Sequence, residues 1–365
     1  MDIKKIVITG GPCAGKSTAL TWIQNIFTKR GYTVLFVPET ATELITGGVA
    51  PWTCGSNFDY QKGQMHLQRE KERVFEMAAQ TMKAENILIV CDRGMTDNRA
   101  YMTGEEYAAI LEWLGLNEIE VRDGYDGVFH LITAADGAVE FYQTANNKAR
   151  YETPEQAVAL DRKILRGWTG HPHLRVIDNS TGFDEKMRRL ITEISSFLGE
   201  PNPYEIERKF LIEYPDLEWL ENLEDCRMVD IVQTYLIAPR GEELRVRERG
   251  EKGHNMYYLT VKRNVSPMKR IEVEKRLTRK QYKDFMLEAD PTRRTVYKKR
   301  YCLMHEKQYF EIDIYPEWKD KAIMEIELTE ENETLHFPKN IKIIREVTED
   351  PAFRNAAIAK EMPNV

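Results

Sequence analysis

Residues 4–22 read KKIVITGGPCAGKSTALTW, which is an apolar run, a glycine-rich loop and the start of a helical pattern. Residues 10–17, GGPCAGKS, match GxxxxGK[ST] in the strand–loop–helix context that this motif requires. In such a loop, backbone N–H groups wrap a phosphate and the helix N-terminus adds a positive partial charge. We therefore predict a nucleotide-binding phosphate loop. Its predicted contacts are Gly10, Gly11, Pro12, Cys13, Ala14, Gly15, Lys16, Ser17 and Thr18.

Outward from this loop, short apolar runs alternate with helical patterns up to about residue 198. The runs are KKIVITG, TVLFVPE, NILIVCDRG, DGVFHLIT and LRVIDN. Nearly continuous apolar strands separated by helices are typical of a parallel sheet covered on both faces. The sequence thus predicts an α/β P-loop domain over residues 1–199.

Acidic residues follow two of these predicted strands, Glu39 in FVPET and Asp92 in IVCDRG. Ligands of open α/β sheets bind beyond the carboxyl ends of the strands, so both acids should face the phosphate loop. Asp92 is predicted to hold Mg²⁺ through water, with the Ser17 hydroxyl as a direct ligand, and Arg93 to contact phosphate. Glu39 is predicted to accept a proton from a hydroxyl group. A helix cap is the alternative interpretation of each acid.

A predicted lid follows at 146–168, NNKARYETPEQAVALDRKILRGW. Arg150, Arg162 and Arg166 in this segment could clamp a phosphoryl group during transfer. A solvated helix face is the alternative for each of them.

This half resembles the P-loop ATPases and kinases related to nucleoside and nucleotide kinases, through GGPCAGKST, VPET and DRGMTDNRAY. The resemblance implies ATP with Mg²⁺ as the bound nucleotide. It also implies a base role for Glu39, and places Asp92 and Arg93 at the metal and the phosphates. The phosphoryl acceptor cannot be read from the sequence, and kinase and plain ATPase activity both stay open.

The pattern changes at residues 199–203, GEPNP, where glycine and two prolines cannot continue a helix. We predict a linker over 200–203 and a second domain over 204–365. Eight runs in this domain alternate apolar and charged residues, which predicts an antiparallel sheet with one helix near 279–288.

Charged residues in these runs recur at every second position, so each strand carries its charges on one face. The most regular examples are EIERK, LRVRER, EVEK, EIDIY and MEIEL. Two arrangements are compatible with this pattern. The charges could coat an ordinary sandwich, or the sheet could close into a barrel whose wet lumen holds metal and a polyanion.

The order ExExK, QTYL, LRVR, TVKR, EVE, KKRY, EIDIY and EIEL, with REVTEDPAFRNAAIA at the end, resembles the CYTH domain of triphosphate tunnel metalloenzymes. The resemblance implies an eight-stranded antiparallel barrel that binds a triphosphate with Mg²⁺ or Mn²⁺ and typically hydrolyses the terminal phosphoanhydride. The implied metal or lumen acids are Glu205, Glu207, Glu272, Glu274, Glu311, Asp313, Glu325 and Glu327. The implied phosphate-binding cations are Lys209, Arg245, Arg247, Lys262, Arg294, Lys298 and Arg300. Lys262 and Asp313 are also implied catalytic residues.

The leading functional hypothesis joins both halves: a metal-dependent hydrolase of a small triphosphate, tripolyphosphate or a nucleoside triphosphate, fused to an ATP-binding domain that transfers or hydrolyses the γ-phosphate. One alternative is a kinase or ATPase regulated by a non-catalytic, polyphosphate-sensing CYTH domain. Another is an adenylate cyclase of the CYTH type.

The composition supports small phosphates as ligands. The net charge is −7, yet residues 240–300 contain 19 Lys and Arg against 9 Asp and Glu, which indicates a confined anion site and disfavours nucleic acid. Five scattered cysteines without a CxxC pair fit a reducing cytosol. Since no apolar run approaches the ~18 residues of a membrane span, we expect a cytoplasmic protein without membrane contact.

Overall fold

A computed structural model describes residues 2–142, 153–200, 206–239, 242–266, 269–328 and 333–363. For residues 141, 206, 263–266 and 269–273 it describes the backbone alone. The chain divides into two compact units, Met1–Ile191 and Thr192–Val365. None of the helices in these ranges is long and apolar enough to cross a membrane.

The first unit contains a five-stranded parallel sheet in the order β2-β3-β1-β4-β5. The strands are β1 (Asp2–Thr9), β2 (Thr33–Val37), β3 (Asn86–Asp92), β4 (Gly127–Leu131) and β5 (Leu174–Ile177). The α-helices are α1 (Lys16–Lys29), α2 (Thr40–Thr46), α3 (Asn57–Thr81), α4 (Gly104–Leu114), α5 (Glu118–Arg122), α6 (Pro154–Trp168) and α7 (Phe183–Phe197), of which the residues from Thr192 onward belong to the second unit. Short 3-10 helices span Met95–Tyr101 and Val139–Phe141. The predicted parallel sheet flanked by helices is confirmed.

The two central strands explain this arrangement. Ile6, Val7 and Ile8 of β1 and residues 87–90 of β3 are completely buried. A strand that is apolar on both faces is stable only when helices cover both sides of the sheet. The first turn after β1 needs glycine, because Gly10 has a φ of 136° and a Cβ there would lie 2.0 Å from the Leu131 carbonyl oxygen.

The second unit contains a nine-stranded sheet in the order β10-β9-β8-β7-β11-β12-β13-β6-β14, with antiparallel neighbours throughout. The strands are β6 (Ile206–Glu213), β7 (Cys226–Leu236), β8 (Glu242–Glu251), β9 (His254–Ser266), β10 (Lys269–Leu277), β11 (Val296–His305), β12 (Gln308–Ile314), β13 (Lys321–Leu328) and β14 (Ile343–Glu346). Its helices are α8 (Leu217–Asn222), α9 (Arg279–Met286) and α10 (Asn355–Ile358), with a 3-10 turn at Pro351–Phe353.

Apolar residues on one face of this sheet pack against helices and loops. Phe210, Phe310 and Ile312 share a buried cluster with Leu220 of α8. Val246 and Leu277 form a second cluster with Tyr282 of α9. The helix predicted near 279–288 is confirmed, whereas α8 was not predicted.

The predicted closed eight-stranded barrel is not observed. All eight predicted strands form, but β14 is an additional strand, and within the described ranges no pairing joins β10 to the other edge of the sheet. On one side β6 pairs with β13, and on the other β14 pairs with its residues Phe210–Ile212, so that part of the second edge is already hydrogen-bonded. The short run IIRE carries little strand periodicity, which explains why β14 was missed.

Candidate functional site

The phosphate loop, residues 10–17, connects β1 to α1 at the carboxyl edge of the parallel sheet. Lys16 Nζ donates to the carbonyl oxygens of Gly10 and Gly11, both at 2.9 Å. Burial and the nearby Arg93 charge lower the pKa of Lys16 to about 8, against the opposing effect of Glu39. Ser17 and Thr18 lie exposed in the first turn of α1. The loop therefore presents an ammonium, two hydroxyl groups and a helix N-terminus to the same edge, which is the set that binds a nucleotide phosphate.

Glu39 and Arg93 form an ion pair at the ends of β2 and β3. Although burial opposes ionisation, the Arg93 and Lys16 charges and a hydrogen bond from Thr42 lower the pKa of Glu39 to about 2. Arg93 has a φ of 70°, in the left-handed region, and its carbonyl accepts a hydrogen bond from Gln68 at 3.3 Å. Glu39 is thus a weak base while Arg93 remains bound to it.

Asp92 ends β3, and one oxygen of its carboxylate is buried. Its Oδ1 finds no hydrogen-bond partner among the residues that the structure describes. Burial raises the pKa of Asp92, while Lys16 opposes that rise. An unsatisfied carboxylate oxygen is costly unless something binds it. Oxygen ligands are those that Mg²⁺ prefers, so Asp92 together with the Ser17 hydroxyl fits the predicted metal.

The structure describes two of the three arginines of the predicted lid. Arg162 is exposed and Arg166 is half-buried on α6, and Arg150 lies outside the described residues. The same helix carries Asp161, whose Oδ1 accepts a hydrogen bond from the Gly11 N–H at 2.5 Å and lies 3.1 Å from His130 Nε2. A carboxylate can only accept here, so His130 Nε2 carries the proton. The lid helix is therefore tied directly to the phosphate loop.

In the second unit, the strand register brings the predicted charged residues to one face of the sheet. Directly paired residues of antiparallel strands share a face. The chain of pairs runs Glu207–Glu327, Lys209–Glu325, Glu325–Glu311, Asp313–Arg300 and Arg300–Val229. Gln233 lies on the same face of β7 as Val229, and from it the chain continues through Gln233–Arg247, Arg247–Tyr258, Arg245–Thr260 and Thr260–Glu274. We call this the charged face. Lys262 lies on the charged face, opposite Glu243. Lys298 lies on the same face, because it precedes Arg300 by two residues in β11.

The centre of the charged face is a buried network of ion pairs. Asp313, fully buried, accepts hydrogen bonds from Arg300 Nε and Nη2, each at 2.7 Å, and from Lys298 Nζ. Arg300 also contacts Glu311, and its Nη2 lies 3.0 Å from Glu325 Oε2. Burial lowers the pKa of Lys298 despite the neighbouring Asp313. Charges at this depth are stable only because each has an opposite charge within hydrogen-bonding distance.

One end of this network is more open and acidic. Lys209 Nζ lies 2.7 Å from Glu325 Oε1 and 3.6 Å from Glu207 Oε1. Partial burial and the charges of Glu325 and Glu327 raise the pKa of Glu207, and Lys209 opposes that rise. Burial works against ionisation of Glu325 as well, but Lys209, Arg300 and Lys298 hold its pKa well below the ordinary range.

These acids fit a divalent cation in chemistry. Glu207 and Glu327 are direct cross-strand partners, and Glu207 keeps 40% of its side chain exposed. Like charges placed opposite each other destabilise a sheet, which a bound cation would relieve. Taken over the described ranges, no three His, Cys, Asp or Glu side chains are already grouped as a metal site. Glu205 and the side chain of Glu272 lie outside the part of the chain that is described.

The other predicted cations lie on the far strands of the charged face or beside it. Arg247 Nη2 is 2.7 Å from Glu274 Oε2, which also accepts a hydrogen bond from Thr260 at 3.1 Å. Arg245 is almost completely buried. Arg294 precedes β11, and its guanidinium bonds to Glu317 and, at 3.1 and 3.2 Å, to the Ile358 carbonyl oxygen. Arg294 thus connects the strand to the C-terminal segment.

Several buried polar residues near the phosphate loop were not predicted. Asp97 accepts hydrogen bonds from Thr9 Oγ1 at 2.7 Å and from Trp168 Nε1 at 2.6 Å. Asp161 and Lys186 lie within helices α6 and α7, where a charged residue has no distinctive sequence signal. Asp97 stands in the quoted motif DRGMTDNRAY, so that motif was the only signal that could have indicated it.

Comparisons with known proteins each cover part of the chain. Residues 5–186 match the profile of the AAA domain family. The inorganic triphosphatase NE1496 is 28% identical to this chain, covering 44% of it and 97% of its own length, with a TM-score of 0.31. The PH1012 protein from Pyrococcus horikoshii OT3 is 19% identical, covering 35% of this chain and 81% of its own, with a TM-score of 0.26. No curated protein matches the chain.

Proposed function

We propose that the chain is a two-part phosphoryl enzyme. The second unit hydrolyses a small triphosphate, tripolyphosphate being the simplest, and the first unit binds ATP and transfers or hydrolyses its γ-phosphate. The domain limits that we propose are 1–199 and 204–365, with a linker at 200–203, whereas the compact units divide earlier, between Ile191 and Thr192. The supporting observation is the register of the nine-stranded sheet, which collects cations and carboxylates from its strands onto one face.

The charged face provides both components that a metal–triphosphate complex requires. Arg300, Lys298 and Lys209 are close enough to one another to share Asp313 and Glu325 as partners. Guanidinium groups bind phosphate oxygens in a forked geometry and ammonium groups act as point charges. A triphosphate would therefore compete with these carboxylates for the same three cations.

In this proposal Glu207 and Glu327 would hold Mg²⁺ or Mn²⁺, together with Glu325, which precedes Glu327 by two residues on the same face of β13. The metal would neutralise phosphate charge and orient the leaving group. The chain's own residues would position the phosphates: Arg245, Arg247 and Lys262 on one side, and Arg300 on the other. The Asp313 carboxylate accepts hydrogen bonds from Arg300 and Lys298, so its role would be to position these two cations.

In the first unit, the phosphate loop and Lys16 would bind the β- and γ-phosphates. Arg93 would exchange its contact with Glu39 for one with the transferring phosphate. That exchange would remove the charge that depresses the pKa of Glu39, and would leave its carboxylate able to accept a proton from a hydroxyl acceptor or from water.

A phosphate-release screen tests the two activities together. Full-length protein, Lys16→Ala and Glu207→Ala are each incubated with ATP, tripolyphosphate and pyrophosphate in the presence of Mg²⁺ or Mn²⁺. We expect Glu207→Ala to lose tripolyphosphate hydrolysis and keep the ATP turnover that depends on Lys16, and Lys16→Ala to show the reverse. Glu218→Ala, an exposed glutamate on α8, is the matched control. Undiminished tripolyphosphate hydrolysis in Glu207→Ala would reject the proposed metal site.

A binding module is the second candidate, and one observation favours it. The carboxylates Asp313, Glu311, Glu325 and Glu274 each contact a cation of the same face. Such a face can exchange internal partners for a polyanion without any chemical step. Metal-dependent binding of tripolyphosphate, followed by recovery of all of it intact, would establish this candidate over the hydrolase.

A further inference from the structure

We propose that Lys186 is a positioning residue for the phosphate loop. Lys186 holds the backbone at Ala14 in the shape that binds phosphate, and does not itself contact phosphate. The proposal rests on the proposed function in one respect, that this loop binds ATP. Lys186 lies in α7, outside the phosphate-loop motif and outside every residue assigned above to a reactant.

The ammonium group of Lys186 is buried and bonded to three oxygen atoms. Lys186 is 2% exposed. Its Nζ donates to the Ala14 carbonyl at 3.1 Å, the Ile132 carbonyl at 2.7 Å and Asn179 Oδ1 at 2.7 Å. An ammonium has three protons to donate. All three of these partners are uncharged, and the group joins the loop, the end of β4 and the segment after β5 at one point.

This contact fixes the direction of a phosphate-binding N–H group. In a planar trans peptide, the carbonyl of one residue and the N–H of the next point in opposite directions. Since the Ala14 carbonyl points to Lys186, the Gly15 N–H must point to the opposite side of the loop. Thr133 Oγ1 holds the Pro12 carbonyl in the same way and so directs the Cys13 N–H.

Burying this ammonium group costs free energy, and its three contacts at the phosphate loop explain why the fold keeps it there. A lysine removed from water without a direct carboxylate partner is strongly disfavoured. Burial lowers the pKa of Lys186 to about 8, and Asp161 only partly opposes this. A neutral side chain could not hold three oxygens together, and the charge also adds to the positive potential at the phosphate site.

Steady-state ATP turnover of the full-length protein tests the assignment. We compare Lys186→Met with wild type and with Lys29→Met, which removes an exposed lysine at the C-terminal end of α1. We expect the KM for ATP, and the inhibition constant of pyrophosphate, to rise together by at least about tenfold in Lys186→Met, as for a lost charge-assisted contact. We expect kcat to stay within about threefold, because binding energy common to ground and transition states is removed. Lys29→Met should match wild type.

The split between KM and kcat separates positioning from a merely structural role. A variant that is only less stable contains fewer active molecules, so its apparent kcat falls while KM stays constant; that result, or no change in either constant, overturns the proposal. If Lys186→Met does not fold, Lys186→Gln carries the same test, since it keeps a donor without the charge. Absence of ATP turnover in the wild type would instead refute the proposed function of the first unit.

Discussion

Replacement of Asp313 by Asn tests the central feature of the charged face, one carboxylate holding two buried cations. Asp313 is fully buried and accepts two hydrogen bonds of 2.7 Å from Arg300 and one from Lys298. The Asn side chain has nearly the same shape, so the substitution removes charge without creating a cavity. Its amide nitrogen would meet donors on both cations.

The expected cost follows from what each cation keeps. Arg300 retains Glu311 and Glu325, whereas the next contact of Lys298 Nζ is Asn355 Oδ1 at 3.5 Å. Removal of one partner from a buried ion pair costs about 3–5 kcal/mol. Because Arg300 remains well compensated, we expect about 3 kcal/mol. For a unit of this size, that lowers the melting temperature by roughly 6–12 °C.

Calorimetry of the full-length protein measures the effect. Tripolyphosphate should raise the melting temperature of the second unit and so identify its transition. The control is Asp320→Asn, a change at an exposed aspartate of the same unit, which should alter the unfolding free energy by less than about 0.5 kcal/mol. Added tripolyphosphate should recover more stability in Asp313→Asn than in the wild type, because its phosphates supply the missing negative charge. At about 100 times its Kd, a ligand adds about 2.7 kcal/mol.

Equal melting of Asp313→Asn and Asp320→Asn would refute the reasoning, because a carboxylate whose loss costs nothing cannot be compensating two buried charges. A large destabilisation that tripolyphosphate does not reduce more than in the wild type would leave the ion network in place but reject the triphosphate as its ligand.

Three further outcomes are expected. Gly11→Ala should weaken ATP binding by at least about tenfold, since its Cβ would lie 2.8 Å from Asp161 Oδ1; Gly63→Ala on α3, where no atom lies within 4 Å, should bind ATP normally and gain about 0.5–1 kcal/mol in a denaturant titration. Glu39→Gln should lower unfolding free energy at pH 6. Because folding depresses the pKa of Glu39 from 4.5 to about 2, the difference from wild type should shrink as pH falls through that interval, and a pH-independent difference would contradict the assignment. Trp168→Phe should destabilise the first unit by about 1–3 kcal/mol, seen by calorimetry, because Asp97 loses a buried donor; an unchanged transition would show that the bond contributes nothing.

Local patterns were sufficient for the five parallel strands and for eight of the nine antiparallel strands. The glycine-rich motif with its flanking strand and helix, and the period-two charges of LRVR, EIDIY and EIEL, depend on spacing along the chain, and backbone geometry converts spacing directly into a loop or a face. For this reason the five parallel strands and the eight alternating runs could be predicted, and β14 and α8, which have short and weak patterns, could not.

Pairing across distant strands was decided only by the tertiary structure. Nothing in EIERKF indicates that Glu207 will lie opposite Glu327, or that β6 will pair with β14 as well as with β13. The same holds for two hydrogen bonds at the phosphate loop. Gly11 bonds to Asp161, 150 positions along the chain, and Ala14 bonds to Lys186, 172 positions along. Such contacts depend on how whole elements pack, so no local pattern of residues encodes them.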